Sequence, residues 1–170
     1  MINVFLTNLG KYNEGELVGK WISLPIDTVE LENCLEEIGI NEEYEEYFIT
    51  DSETDIEYLD ISEYSNLQEL NEIAEKYDEM DDDEKMVLSA FMFNGDDFSE
   101  AVAHVQEGDY YMYPNCKDME DVAIEVVEQC GYLQNVPDTV ARYFDYEAFG
   151  EDLAIEGTYI YINGCYVQIL

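Results

Sequence analysis

His104 is the only histidine in the chain, and histidine is the side chain most often used as a general base near neutral pH. Its neighbours Ala101, Val102 and Val105 put it on or beside the apolar stripe of a helix. No Ser or Cys stands in a nucleophile motif. Cys34, Cys116, Cys130 and Cys165 are far apart and make no Cys-x-x-Cys pair. Their spacing to each other and to His104 matches no zinc site. The run Gly15-Glu16-Leu17-Val18-Gly19-Lys20-Trp21 resembles a phosphate loop, but it has one residue too few between the glycines. It also lacks the hydroxyl after Lys that would hold Mg²⁺. The nearest approach to a calcium loop starts at Asp145, with Glu147 third, Gly150 sixth and Glu156 twelfth. Its fifth position is Phe149 where an oxygen ligand is needed. Asp81-Asp82-Asp83-Glu84 has no glycine in register. These residues predict no enzyme, no cofactor and no dedicated metal site.

Carboxylates are the residue type in excess. The 170 residues carry 42 Asp and Glu against 6 Lys and Arg, a net charge of −36. A compact monomer of this mass exposes roughly 8,600 Å², or about 240 Å² per net charge. Duplex DNA, taken as a cylinder of about 10 Å radius with a charge every ~1.7 Å, gives roughly 110 Å². A nucleic-acid binder shows a basic footprint, so that class is excluded. Adsorption to anionic membranes is disfavoured for the same reason, and no run is long and apolar enough to span a bilayer. Disordered acidic chains are poor in aromatics. Here 47% of residues are hydrophobic and 14% aromatic, enough to build a core.

Several acids fall at helical spacing. Glu69, Glu72, Glu75 and Glu79 avoid the stripe of Leu67, Leu70, Ala74 and Tyr77. Asp118, Asp121, Glu125 and Glu128 lie opposite Met119, Val122, Ala123, Val126 and Cys130. At 1.5 Å per residue, acids three or four apart stand about 4.5–6 Å apart along the axis, comparable with phosphates along a strand. Asp51, Glu53, Asp55, Glu57 and Asp60, with Asp81, Asp82 and Asp83, continue the series. An amphipathic helix always has a solvated face, yet ordinary surfaces offset acids with bases. Six bases leave the self-repulsion uncompensated. A surface that must be negative throughout, facing a basic partner, accounts for this best. Halophilic adaptation, a generic acidic domain, a generic basic-partner module and an acidic calcium-binding module are the alternatives.

The elements that would position these acids are α+β. Strands are expected at Ile2–Thr7 and Leu17–Leu24 around a Gly-rich turn from Leu9 to Gly15, with Pro25 ending the second. A helix through Leu31, Leu35 and Ile38 ends at Gly39. A strand at Tyr44–Thr50 precedes an acidic loop from Asp51 to Asp60. Three helices follow between Ser62 and Glu107, the second capped by Asp81. Tyr110–Tyr113 is a strand, Met119–Cys130 a helix closed by Gly131, and Pro137 opens another. Thr158–Ile162 and Cys165–Ile169 joined by Asn163-Gly164 form a hairpin with a type I′ turn. The expected organisation is three small subdomains: a mixed α/β part over 1–61, a helical middle over 62–107, and a mixed α/β part with the C-terminal hairpin over 108–170. Their net charges are −14, −12 and −10, so the charge is no terminal tail. At ~1.7 Å per charge the whole chain matches about 60 Å of duplex, which favours an elongated arrangement over a sphere of about 20 Å radius.

Particular strings resemble ArdA-type antirestriction proteins. They are Asn8 to Gly19 with Trp21 and Leu24-Pro25-Ile26-Asp27; Glu43-Tyr44-Glu45-Glu46-Tyr47; Cys116 with Asp118-Met119 and Asp121-Val122-Ala123; and Val136-Pro137, Tyr143, Asp145-Tyr146, Gly150, Asp152-Leu153 and Gly157-Thr158. The resemblance implies a cytoplasmic mimic of bent B-form DNA that occupies the DNA groove in the methyltransferase–specificity core of type I restriction–modification enzymes. It implies an elongated three-domain protein that forms a homodimer through its C-terminal domain. It also implies that Cys116, Asp118, Met119, Asp121, Val122 and Ala123 are the family's antirestriction motif. The apolar members look structural. The absence of a basic, apolar leader at Met1-Ile2-Asn3 and the unpaired cysteines agree with a cytoplasmic setting.

Overall fold

The computed structural model describes residues 1–170 and has an α+β architecture of eight helices and two three-stranded antiparallel sheets. Its contacts group the chain into two units, Met1–Lys85 and Met86–Leu170. In the first, strands β1 (Ile2–Asn8), β2 (Gly19–Leu24) and β3 (Tyr47–Thr54) form a sheet in the order β2-β1-β3. Alternation along β1 buries Ile2, Val4 and Leu6. Ile22, Leu24 and Ile49 join them, with Cys34 and Ile38 from helix α2 (Thr28–Glu37) and its end, and Leu67, Leu70 and Ala74 from α3 (Leu67–Glu79). The Ile26 amide donates to Asn71 Oδ1 at 2.7 Å, tying the end of β2 to α3.

Two expectations are corrected in this unit. The Gly-rich stretch after β1 is not a plain turn: Leu9–Asn13 is a short helix, α1. The reason is Asn8, fully buried, whose Oδ1 accepts the Lys11 amide at 3.0 Å while its Nδ2 donates to the Ile38 carbonyl at 3.1 Å. A buried amide satisfied at both ends holds the first turn in helical geometry. The third strand starts later and runs further than expected. Asn41 Oδ1 accepts the amides of Glu43 and Tyr44, an Asx turn that keeps the chain out of the sheet. Pairing then continues through Thr54 past a bulge opposite Phe5 and Leu6, so Asp51 and Glu53 belong to a strand and not to a loop.

Helix α4 (Asp82–Asn94) begins at the end of the first unit. Asp81 caps it, its Oδ1 accepting the Glu84 amide and its own amide donating to the Glu84 carboxylate, a complete capping box. In the second unit the run Val87–Met92 is buried on every side, the pattern of a fully enclosed helix. Helix α5 (Phe98–Glu107) has the same capping box, from Asp97 and Glu100. Strand β4 (Tyr110–Pro114) pairs with β6 (Cys165–Ile169), which pairs with β5 (Thr158–Ile162), in the order β4-β6-β5. Asn163 and Gly164 both have positive φ, 50° and 86°, as the type I′ hairpin requires. Helix α6 (Met119–Cys130) packs against α8 (Tyr146–Glu156), with the short α7 (Asp138–Ala141) between them in sequence. The sequence reading contains no α8.

Candidate functional site

Few bases are available to offset 42 acids, so other positive ends matter. Five helices start on an aspartate whose carboxylate accepts a backbone amide three residues on: Asp27 for α2, Asp81 for α4, Asp97 for α5, Asp118 for α6 and Asp145 for α8. The partial positive charge of a helix N-terminus stabilises such a carboxylate. It does this without neutralising the outward field. Lys11 lies within ion-pair range of Glu14 and Glu16, and Lys20 pairs with Glu37.

Most acids singled out from the sequence are exposed. Asp51, Glu53, Asp55, Glu57, Asp60, Glu69, Glu72, Glu75, Glu79, Asp81, Asp82 and Asp83 all face solvent in the first unit. Asp118, Glu125 and Glu128 do so in the second. Asp121 is half-buried, because its Oδ2 accepts the Lys117 amide at 2.9 Å. Asp55 pairs with the N-terminal ammonium. The same helices bury their opposite stripes: Leu67, Leu70 and Ala74 on α3, and Val122, Ala123 and Val127 on α6. Sequence reasoning did not count Glu147, Glu151, Asp152 and Glu156 among the partner-facing acids, although all four are exposed on α8, a helix the sequence does not predict. The accessible surface of 10,637 Å², divided among 36 net charges, leaves about 295 Å² each. The two units carry −22 and −14 by residue count, so the first is the more strongly charged.

The candidate chemistries fare differently. Asp145–Glu156, the calcium-like stretch, is the capped helix α8. Its ends are about 16 Å apart at 1.5 Å per residue, whereas a calcium loop folds its ligands around one point. Gly19, Lys20 and Trp21 lie within β2, not in a loop leading into a helix, which removes the phosphate-loop geometry. Cys116 is buried against Tyr113 and Val122, with Met119, Val126, Tyr159 and Tyr166 packed around them. Burial, then the Asp121 and Glu125 carboxylates, push its thiol pKa up, the opposite of a nucleophile. Burial likewise pushes the Tyr113 hydroxyl up to about 12. The apolar motif residues therefore build a core.

A family model described as antirestriction protein (ArdA) matches residues 4–168. The chain belongs to the ArdA family. No curated protein matches it. Antirestriction is the activity that membership brings, with a restriction–modification enzyme as its target, and ArdA proteins inhibit rather than catalyse. In this ArdA chain the Cys116–Ala123 segment, for which the sequence suggests a structural role, packs the α6 end of the second unit. No helix is long and apolar enough to cross a membrane.

His104 is a sensitive probe of the second unit. Its ring stacks on Phe91, centroids 4.7 Å apart, and Asp109 Oδ2 lies 2.9 Å from Nδ1. That hydrogen bond, with the fields of Asp96, Asp109 and Glu107, holds its pKa above the usual 6.5. A raised folded-state pKa stabilises the fold below the unfolded value and loses that contribution as pH rises through the folded one. Asp109→Asn should lower the His104 pKa towards 6.5 and reduce this pH dependence, leaving the part due to Asp96 and Glu107. An NMR titration of the single imidazole reads the shift directly.

Proposed function

We propose that the protein is a stoichiometric mimic of B-form DNA that occupies the DNA groove of a type I restriction–modification enzyme, in its methyltransferase–specificity core. The observation that carries this reading is the exposure of carboxylates at helical spacing on α3 and α6, in a chain with almost no compensating bases. Lysines and arginines that grip phosphates would meet carboxylates at a similar pitch, and both surfaces would release counterions on contact. Asp51, Glu53, Asp55, Glu57 and Asp60 add exposed charge in the same unit as α3, as do Asp81, Asp82 and Asp83. No nucleic acid, membrane or cofactor takes part. Action as a homodimer in the cytoplasm, with parts 1–61, 62–107 and 108–170 laid along the groove, belongs to the same proposal.

A distributed mimic gives a characteristic mutational pattern. Single changes such as Glu72→Gln, Glu75→Gln or Glu125→Gln should each alter inhibition by less than about fivefold, because exposed charge pairs contribute about 0.2–1 kcal/mol. Neutralising Glu69, Glu72, Glu75 and Glu79 together should cost at least tenfold. Titrating inhibition of a purified type I enzyme with each variant checks this. A single substitution that abolished inhibition would point to a localised site instead.

A further inference from the structure

One face of the first unit's sheet is buried, and the other bears an aromatic concavity. Phe5 alternates with the buried Val4 and Leu6 and so points to this second face. It pairs directly with Trp21 of β2, ring centroids 5.5 Å apart and nearly edge to face. Tyr12 of α1 and Phe48 of β3 make a similar contact at 5.2 Å. Together with Leu17 these rings line a groove of about 660 Å³. Trp21 is 42% exposed, Tyr12 51% and Leu17 69%, which is costly apolar exposure for a helix-and-sheet unit of this size. Asp51 and Glu63 also line the groove, and no Lys or Arg does.

The charge identifies the occupant. In the reading above a second copy joins through the C-terminal part and not through this sheet, and an anionic lipid surface would be repelled by the chain's net −36. A neutral apolar segment would cover Asp51 and Glu63 without a counter-charge. A guanidinium meets both demands: it stacks on aromatic faces and donates in a fork to carboxylates. The unit already holds one of its own cations by this chemistry. Lys11 Nζ sits 4.5 Å from the Tyr44 ring centroid and 3.4 Å from Glu14 Oε2, while the Tyr44 hydroxyl donates to Glu14. We propose that the groove of Phe5, Tyr12, Trp21 and Phe48, with Asp51 and Glu63, is a dock for an arginine-bearing segment of the protein's partner. It acts beside the distributed carboxylates and gives binding a short-range part that salt screens less than it screens the distributed charge. The proposal rests on the partner being a basic protein, as read above.

Trp21 is the chain's only tryptophan, so its emission reports the groove without a label. The full-length protein is titrated with the capped peptide Gly-Arg-Gly-Arg-Gly, and with versions bearing lysine or the uncharged arginine isostere citrulline. Each titration is run at about 50 and about 500 mM NaCl. The arginine peptide should give a saturable change in Trp21 emission whose affinity falls less than about tenfold at the higher salt. The lysine peptide should bind at least about fivefold more weakly and the citrulline peptide not measurably. Phe48→Ala should weaken the arginine peptide at least about fivefold. The double change Asp51→Asn with Glu63→Gln, confined to the exposed rim, should do the same without disturbing the circular dichroism. An unchanged emission, equal binding of the citrulline peptide, full affinity in the rim variant, or loss of all binding at high salt would each overturn the dock. The titration uses no restriction enzyme, so its failure is separable from failure of the DNA-mimic reading.

Discussion

Affinity for a type I methyltransferase should fall by about a thousandfold as NaCl rises from ~50 to ~200 mM. A protein that neutralises roughly six to ten phosphates of duplex DNA loses about 10³–10⁵ over that range, because ions condensed on the polyanion are released on contact. The protein spreads its charge at about 295 Å² per net charge, against roughly 110 Å² for the duplex. It therefore condenses fewer ions, and the lower end of the range is expected. A hydrophobic interface would behave otherwise, since salt leaves it unchanged or strengthens it. Isothermal calorimetry across five salt concentrations measures the slope. A slope near zero would remove electrostatic substitution as the mechanism.

Gly150→Ala should destabilise the second unit by about 2 kcal/mol. Gly150 lies in the middle of α8 with ordinary helical backbone, where alanine would by propensity be better by about 1 kcal/mol. Yet a Cβ there would stand 2.4 Å from the Met119 carbonyl oxygen and 2.7 Å from its carbon. Both are backbone atoms of α6, so no rotamer change relieves the clash, and the helices must separate. Overpacking of this kind costs about 1–3 kcal/mol or more, which outweighs the propensity gain. The midpoint of thermal unfolding should drop by about 10 °C. The neighbouring exposed position offers a control: Glu151→Ala on the same helix should change it little. A rise in midpoint for Gly150→Ala would mean that α6 and α8 do not approach so closely.

The same glycine explains why α8 is not legible in the sequence. Read locally, Gly150 breaks a helix and suggests a loop, and only its partner across space reveals that it permits close packing. Features set by neighbouring residues were legible: the Asn163-Gly164 turn, the Asp81 cap, the Gly131 stop, the α3 stripe and Val122 and Ala123 of α6 all follow from chemistry within a few positions, whereas Cys130, expected on the α6 stripe, is exposed and Val127 is buried in its place. What tertiary contacts decide was not. Asn8 makes a helix of Leu9–Asn13 by reaching Ile38, thirty residues away. Asp51 and Glu53, poor strand formers, extend β3 because β1 offers them a ladder. The acidic surface was readable as a property of the whole chain, since composition alone sets it. The aromatic groove was not, because Phe5, Tyr12, Trp21 and Phe48 converge only when three strands and α1 are assembled.

The central claim, that this protein takes the place of DNA, is tested most directly by displacement. A fluorescent duplex carrying the recognition sequence is bound to a purified type I methyltransferase at ~50 mM NaCl, and the protein is added. The duplex should leave as the protein binds, with no complex containing all three, and the protein concentration needed for half-displacement should rise in proportion to the duplex present. A ternary complex of enzyme, duplex and protein, or inhibition with the duplex still bound, would contradict the account.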